Sequence, residues 1–158
     1  MVLLTALFAA PTASPAFALP APMSNEDLLA KSDLVALVRV LSVTCVSVSK
    51  DERTGEALRS YSANVELMEV IKGDVAKGAE VNITFEDVPK GLLGPWSVFY
   101  YPGEMVWTHL VKVGDDYTTT WWNGRGDVVN KAAITTLPTT PGETVGIKRS
   151  RTEQPSHD

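Results

Sequence analysis

The chain has 158 residues, the length of one ordinary domain, and hydrophobic residues make up 44% of it, enough to form a core. Its formal net charge of −5 gives no electrostatic attraction to phosphate groups, so a role in binding nucleic acid is disfavoured. Cys45 is the only cysteine, which excludes an intramolecular disulfide and therefore the small secreted folds that depend on disulfides.

The beginning of the chain has the pattern of a secretory signal peptide. The first 25 residues carry no charged side chain, and they open with MVLLTALFAA, an apolar run too short to span a bilayer. Ala16 and Ala18 place small residues where a signal peptidase accepts them, so residues 1–18 are the predicted signal peptide and Leu19 the mature start. No Lys or Arg precedes the apolar run, which leaves a buried amino-terminal segment as the alternative. We expect a secreted or periplasmic protein with no membrane span in the mature chain.

A short helix and two long strands are predicted after this leader. Ser24 is a suitable helix N-cap, with acidic residues in the first turn and Lys31 near the end. The segment LVALVRVLSVTCVSV is rich in Val and Leu and predicts a strand, and RSYSANVELMEVIKG predicts a second one because Tyr61, Ala63, Val65 and Leu67 share one face. The alternation of apolar residues slips midway in the first strand and near Met68 in the second, which indicates bends at β-bulges. Cys45 falls within the first strand and is interpreted as a buried, unreactive side chain.

Three further strands are predicted, with a sixth if GDVVN also pairs. EVNITFEDV alternates cleanly between apolar and polar residues, and EMVWTHLVKV and YTTTWW form a hairpin around GDD. KGDVAKGAE, before the third strand, has room for a single helical turn, and residues 89–103 form a long loop with many Gly and Pro residues. Residues 137–158 have few large apolar side chains and predict a flexible carboxyl-terminal tail.

These elements predict a mainly β fold, a small five- to six-stranded Greek-key barrel of the OB type with one or two short helices. The barrel is assigned to residues 19–136. Long strands that bend at bulges suit the closure of a small barrel, and the absence of alternating strands and helices argues against a parallel sheet.

Three parts of the sequence, KSDLVALVRV, YSANVELMEVIKGDVAKGAEVNITF and PGEMVWTHLVKVGDDYTTTWWNGRGDVV, carry a resemblance. Over about residues 31–130 the chain resembles exported bacterial domains of unassigned function with a netrin-like, OB-type barrel, the scaffold that also includes the tissue inhibitors of metalloproteinases. The resemblance implies a barrel that binds other macromolecules and catalyses no reaction. Those inhibitors use an amino-terminal cysteine to chelate zinc, and the predicted mature start near Leu19 has none, so only the scaffold is carried over.

Aromatic side chains give the best candidates for a binding site. They crowd the loop before the fourth strand and the end of the fifth, where one member of the adjacent tryptophan pair should face outward. Asn123 and Gly124 predict a tight hairpin turn, because both residues tolerate a positive φ. Packing of the aromatic rings beneath the loop is the alternative to an exposed platform. The predicted ligand-binding residues are Trp96, Tyr100, Tyr101, Trp121, Trp122 and Arg125.

Catalytic chemistry is poorly supported by the sequence. A small hydrolase would have to rely on His109 with Glu104, because the other histidine, His157, lies in the predicted tail. His109 shares its strand face with Met105 and Trp107, a spacing more typical of packing than of catalysis. No spaced metal-binding motif is present in the sequence, so no catalytic residue, metal site or cofactor is predicted.

The leading hypothesis is therefore a non-enzymatic, exported binding domain that recognises another extracytoplasmic protein through an aromatic-rich rim. Two alternatives remain open: a carbohydrate-binding module that uses Trp121 and Trp122 to bind a glycan, and the small hydrolase centred on His109 and Glu104. No nucleic-acid partner is expected.

Overall fold

The computed structural model describes residues 20–89 and 98–148. Over these residues it contains one helix and seven strands, in the order α1 (Asn25–Lys31), β1 (Leu34–Lys50), β2 (Ala57–Lys72), β3 (Glu80–Glu86), β4 (Met105–Val113), β5 (Asp116–Thr119), β6 (Arg125–Asn130) and β7 (Thr144–Gly146). The predicted signal peptide at residues 1–18 and the candidate residue Trp96 lie outside the described residues.

The helix α1 begins where the sequence predicts. The Ser24 hydroxyl accepts a hydrogen bond from the backbone N–H of Asp27 at 3.1 Å, which satisfies one of the free donors of the first turn. At the other end, Lys72 Nζ donates to the carbonyl oxygen of Leu29 at 2.8 Å, where a cation is favourable. Leu28 is buried, so α1 packs one apolar side chain against the sheet.

The strands β1 and β2 form a long antiparallel pair that bends at the predicted places. Leu41 and Val46 have no partner in the register of β1, and Met68 and Ile71 have none in β2, so each strand carries two bulges. The slip predicted near Met68 is therefore confirmed. Each bulge bends its strand and increases the local twist, which lets the pair wrap around a core.

Five strands close into a ring in the order β1-β2-β3-β5-β4, with β4 returning to pair with β1. The closing pair, β3 and β5, is parallel and short, with Ile83 opposite Tyr117. Two side chains extend this contact: Thr84 Oγ1 donates to the carbonyl oxygen of Tyr117 at 3.2 Å, and Thr118 Oγ1 donates to that of Thr84 at 3.1 Å. The prediction of a mainly β fold with one or two short helices is thus confirmed, and the five-strand ring is barrel-like. The sixth strand predicted at GDVVN forms as β6, outside the ring, and β7 is a seventh strand that was not predicted.

Alternate side chains of the ring strands point inward and form one apolar core. Phe85 stacks on Tyr61 with ring centroids 5.1 Å apart. Cys45 is buried, as predicted, and burial raises the pKa of its thiol, so it acts as a small apolar side chain. The core also contains Leu34, Val38, Val40, Val43, Ala63, Val65, Leu67, Ile83, Val106 and Leu110.

The carboxyl-terminal part of the chain differs from the prediction of a tail that begins at residue 137. Leu137 packs against the core, and β7 pairs with β1 through Val145 opposite Val43. The backbone N–H of Gly142 also donates to the carbonyl oxygen of Cys45 at 2.8 Å. The domain therefore extends beyond residue 136, because a short strand can add to the free edge of β1 without a strong apolar pattern of its own.

Candidate functional site

The two tryptophans lie in a bulge between β5 and β6. Both strands run antiparallel to β4, with Leu110 opposite Thr119 and Thr108 opposite Arg125. Between these pairs, the backbone of His109 makes two hydrogen bonds. Its carbonyl oxygen accepts from the N–H of Thr120 at 2.9 Å, and its N–H donates to the carbonyl oxygen of Gly124 at 2.8 Å. The strands β5 and β6 thus pair with consecutive parts of β4, and His109 alone lies opposite the segment that joins them. Residues 121–123 project from the sheet at this point. We call these three residues the 121–123 bulge.

The prediction of a hairpin turn at Asn123 and Gly124 is therefore wrong. The backbone N–H of Gly124 does close a turn by donating to the carbonyl oxygen of Trp121 at 2.8 Å, but the chain does not reverse, and neither Asn123 nor Gly124 has a positive φ. There is little space for a side chain at position 124. A Cβ atom there would lie 3.0 Å from Thr119 Cγ2 and from the oxygen of Trp121, and 3.3 Å from the oxygen of His109.

The bulge holds the segment of chain that precedes the helix. Trp121 Nε1 donates to the carbonyl oxygen of Ala21 at 3.1 Å. The Asn123 side chain makes two hydrogen bonds to one residue: its Nδ2 donates to the oxygen of Met23 at 2.9 Å, and its Oδ1 accepts from the N–H of Met23 at 3.1 Å. These contacts join parts of the chain that are about 100 residues apart in sequence.

The two indole rings have different surroundings. Trp121 is 36% exposed even with the segment in place. Trp122 is half-buried, and its Nε1 is one of two buried side-chain nitrogen atoms without a hydrogen-bond partner among the described residues. Both tryptophans follow the last residue of β5, so the alternation of a strand does not decide their directions. The expectation that one of the pair faces solvent is met by Trp121.

Both tryptophans line a groove of about 660 Å³ at the junction of β3 and β5. Its apolar side chains include Phe85 and Val113, and its polar side chains include Thr84, Thr118, Thr120, Glu86 and Asp87. Tyr61 also lines the groove, and burial raises its pKa to about 12, so its hydroxyl stays protonated at neutral pH. The groove therefore combines apolar surface with polar groups that can orient a ligand.

Tyr100 is not available to a ligand, in contrast to the prediction. Its ring is fully buried, and its hydroxyl lies 2.6 Å from Thr108 Oγ1 and 2.9 Å from Thr119 Oγ1. Burial raises the pKa of this hydroxyl as well. Tyr101 is half-buried, and its ring lies 6.4 Å from that of Phe99. Neither residue lines the groove beside the tryptophans.

Arg125 forms a largely buried ion pair, which is not the role predicted for it on a binding rim. Its Nη2 lies 2.7 Å from Glu104 Oε2, and the Glu104 side chain is only 3% exposed. Glu104 Oε1 accepts a second hydrogen bond, from the backbone N–H of Tyr101 at 3.0 Å. Burial raises the pKa of Glu104 even though Tyr101 and Arg125 oppose that shift. The pair joins β6 to the start of β4.

The structure does not bring His109 and Glu104 together. They are five residues apart along one extended stretch, which corresponds to roughly 16 Å. Glu104 lies on the buried side with Val106 and Thr108, whereas His109 is half-buried on the opposite side of β4. His109 Nδ1 lies 3.2 Å from the carbonyl oxygen of Gly124. A hydrolytic dyad of these two residues is therefore not formed.

Several residues of the site have no distinctive sequence signal. The sequence predicts Asn123 as a turn residue, whereas its carboxamide pairs with backbone groups of Met23. Thr84 and Thr118 alternate as ordinary outward-facing strand residues, and only the parallel pairing of β3 and β5 brings them together. Such contacts depend on which strands become neighbours, and the sequence alone does not specify that.

No helix within residues 20–89 and 98–148 has the length and apolar character needed to cross a membrane. In the same ranges, no three His, Cys, Asp or Glu side chains are grouped in a way that would hold a metal ion.

Comparison of the chain with protein-family models, with curated proteins and with solved structures finds no match. The resemblance to netrin-like domains and to the tissue inhibitors of metalloproteinases stays a prediction from the sequence.

Proposed function

We propose that this chain is a non-enzymatic, exported binding domain that recognises another extracytoplasmic protein through the groove beside Trp121 and Trp122. The observation that carries the proposal is the groove itself, which places these two indole rings beside apolar and polar side chains in a space of about 660 Å³. Ligand pockets in proteins commonly have volumes of about 300–1,000 Å³ and a similar mixture of groups.

The exposed apolar surface beside the groove supports a protein partner. Val113 is 58% exposed and Val46 is 56% exposed, and both line the groove next to Trp121. Tryptophan is among the residues that contribute most to binding energy at protein interfaces, because a large ring is removed from water at little cost in conformational entropy. Covering these side chains together would favour association.

A carbohydrate ligand is the second candidate, because Glu86 and Asp87 lie in the same groove as Trp121. Sugar rings can stack on an indole face while carboxylates accept hydrogen bonds from their hydroxyl groups. Asp87 is engaged by Arg59 at 3.2 Å, which leaves Glu86 as the more accessible acceptor. A panel of soluble polysaccharides that shifts the tryptophan fluorescence would favour this candidate over a protein partner.

The experiment for the protein partner compares two arginine substitutions at similarly exposed positions. Val113→Arg places a charged, bulky side chain in the groove, whereas Ile71→Arg, at a residue that is 62% exposed, does so outside it. Each immobilised protein is incubated with extracytoplasmic extract of the source cells, and the captured proteins are identified by mass spectrometry. We expect one partner to be captured by the wild type and by Ile71→Arg, and to be lost with Val113→Arg. Capture of the same proteins by all three, or of none, would contradict the proposal.

A further inference from the structure

We infer that the 121–123 bulge is a receptor for an extended, proline-interrupted peptide segment, and that the chain's own residues 20–23 occupy it in the present structure. The inference names the kind of partner segment and so deepens the proposed function, on which its biological role depends. It uses the hydrogen bond of Trp121 to Ala21 and those of Asn123 to Met23; Trp121 also lines the groove, whereas Ala21, Met23 and Asn123 do not.

The bulge makes hydrogen bonds to backbone groups of the segment. They go to the oxygen of Ala21 and to both the N–H and the oxygen of Met23. In Asn123, one carboxamide satisfies the donor and the acceptor of a single residue, as a neighbouring strand would. The side chains of the bound segment can therefore vary while the backbone contacts are kept.

The pattern of contacts fits prolines at alternate positions. In an extended chain, residues i and i+2 direct their backbone groups to the same side. Ala21 and Met23 are such a pair, and the residues beside them, Pro20 and Pro22, have no N–H to leave unsatisfied on the other side. Each proline also restricts the preceding residue to extended conformations, so the segment loses less conformational entropy when it binds.

Trp121 adds a contact that suits such a segment. Proline-rich segments bind to aromatic-lined surfaces as a preformed extended helix. The Nε1 atom of Trp121 donates to the carbonyl oxygen of Ala21, which precedes Pro22. The ring remains 36% exposed with the segment in place, so it has surface left for a longer partner segment.

The test adds the blocked peptide Leu-Pro-Ala-Pro-Met to the ¹⁵N-labelled full chain and follows the indole N–H signals. The chain has four tryptophans, and the signal that disappears in Trp121→Phe identifies Trp121. The peptide must compete with residues 20–23, so a Met23→Pro variant, which lacks one donor to Asn123, is measured alongside the wild type. We expect a saturable shift of the Trp121 signal in Met23→Pro, at about tenfold lower peptide concentration than in the wild type.

Two comparisons make the test specific. Asn123→Ala in the Met23→Pro background should weaken peptide binding about tenfold, because two hydrogen bonds to the peptide backbone are lost. The control peptide Leu-Gly-Ala-Gly-Met has the same backbone donors and acceptors at Ala and Met without the restricted conformation, and we expect it to bind several-fold more weakly.

A second variant covers the case in which Met23→Pro disturbs the fold. The double substitution of Pro20→Gly with Pro22→Gly loosens the same segment without altering half-buried Met23, and it should also increase the response to the peptide. No saturable shift in either variant at millimolar peptide would overturn the inference, as would equal binding after Asn123→Ala. The peptide titration reports the contacts of Trp121 and Asn123 with residues 20–23, whereas the capture experiment reports the groove side chain of Val113, so failure of the groove proposal and failure of this inference can be distinguished.

Discussion

Glu104 and Arg125 form an ion pair in which the carboxylate is almost completely removed from water. Glu104 Oε2 lies 2.7 Å from Arg125 Nη2, and the two side chains are 3% and 24% exposed. The pair connects the start of β4 with the start of β6, directly after the 121–123 bulge. Arg125 Nε is buried without a hydrogen-bond partner among the described residues, so the guanidinium is held by the carboxylate and not by a full set of acceptors.

Removal of the arginine should destabilise the fold strongly. Arg125→Met leaves the buried carboxylate of Glu104 with only the N–H of Tyr101, and we expect a loss of about 2–4 kcal/mol in the free energy of unfolding. Arg59→Met is the control, because its partner Asp87 is 21% exposed, and breaking that pair should cost about 1 kcal/mol or less. Urea unfolding followed by circular dichroism measures both. If Arg125→Met lowers the free energy of unfolding no more than Arg59→Met does, the buried pair contributes no more stability than the more exposed one.

The same carboxylate should make stability depend on pH in an unusual direction. Burial raises the pKa of Glu104 above its ordinary value of 4.5, so the folded protein binds this proton more tightly than the unfolded chain does. The stability that protonated Glu104 adds to the fold is therefore complete below pH 4.5. It is lost as the pH rises from 4.5 through the raised pKa. Asp51 has the opposite sign, because hydrogen bonds from Thr54 lower its pKa below 3.8 and its contribution is lost as the pH falls.

Measurement of urea unfolding between about pH 4 and pH 8 on the wild type and Glu104→Gln isolates this effect. Other carboxylates contribute equally to both proteins, so their difference in free energy reports Glu104. We expect the wild type to lose stability relative to Glu104→Gln as the pH rises. A difference that stays constant, or that changes in favour of the wild type, would rule out a raised pKa.

Glycine at position 124 should be required for the shape of the bulge. A Cβ atom there would lie 3.0 Å from both Thr119 Cγ2 and the oxygen of Trp121, so Gly124→Ala requires both neighbours to shift slightly, and the second of them is a backbone atom. We expect a loss of about 1–3 kcal/mol in the free energy of unfolding and a change in tryptophan fluorescence. The control is Gly126→Ala, whose Cβ would lie 3.4 Å from Trp107 Cβ, an ordinary contact, with an expected effect of about 0.5 kcal/mol or less. Equal effects of the two substitutions would argue against a close-packed bulge.

The regular parts of this fold could be predicted from the sequence, because their causes are local. Alternation with a period of two identifies β3 and β4, the Ser24 cap fixes the start of α1, and the slip at Met68 indicates a bulge. The short β7 could not be found, because three residues have no periodic signal and the strand forms only where the edge of β1 is free.

The candidate site was only partly predictable for a different reason. Trp121 and Trp122 can be predicted as candidates because adjacent strand residues point to opposite faces and large aromatic side chains dominate binding contacts. Asn123 and Gly124 are compatible both with a hairpin and with a bulge, and the choice depends on whether β5 and β6 pair with each other or both with β4. Tyr100 could not be assigned to the core, because its burial depends on hydroxyl partners in β4 and β5.

Closure of the ring should depend on two threonine hydroxyls. Thr84 and Thr118 each donate to a carbonyl oxygen across the short contact between β3 and β5, where Ile83 lies opposite Tyr117. Valine keeps the branched shape and removes the donor, so Thr84→Val and Thr118→Val should each cost about 1 kcal/mol. Because this contact is short, we also expect local opening to become more frequent, with faster hydrogen exchange at the amides of β5.

The matched control for ring closure is Thr44→Val. Its hydroxyl lies 2.7 Å from Thr144 Oγ1 in the contact between β1 and β7, which is outside the ring. Hydrogen exchange measured by mass spectrometry should show faster exchange in β5 for Thr84→Val and Thr118→Val and no change there for Thr44→Val. If exchange in β5 is unaffected in the first two variants, the ring is closed by apolar packing around Ile83 and Tyr117 and not by the hydroxyl contacts.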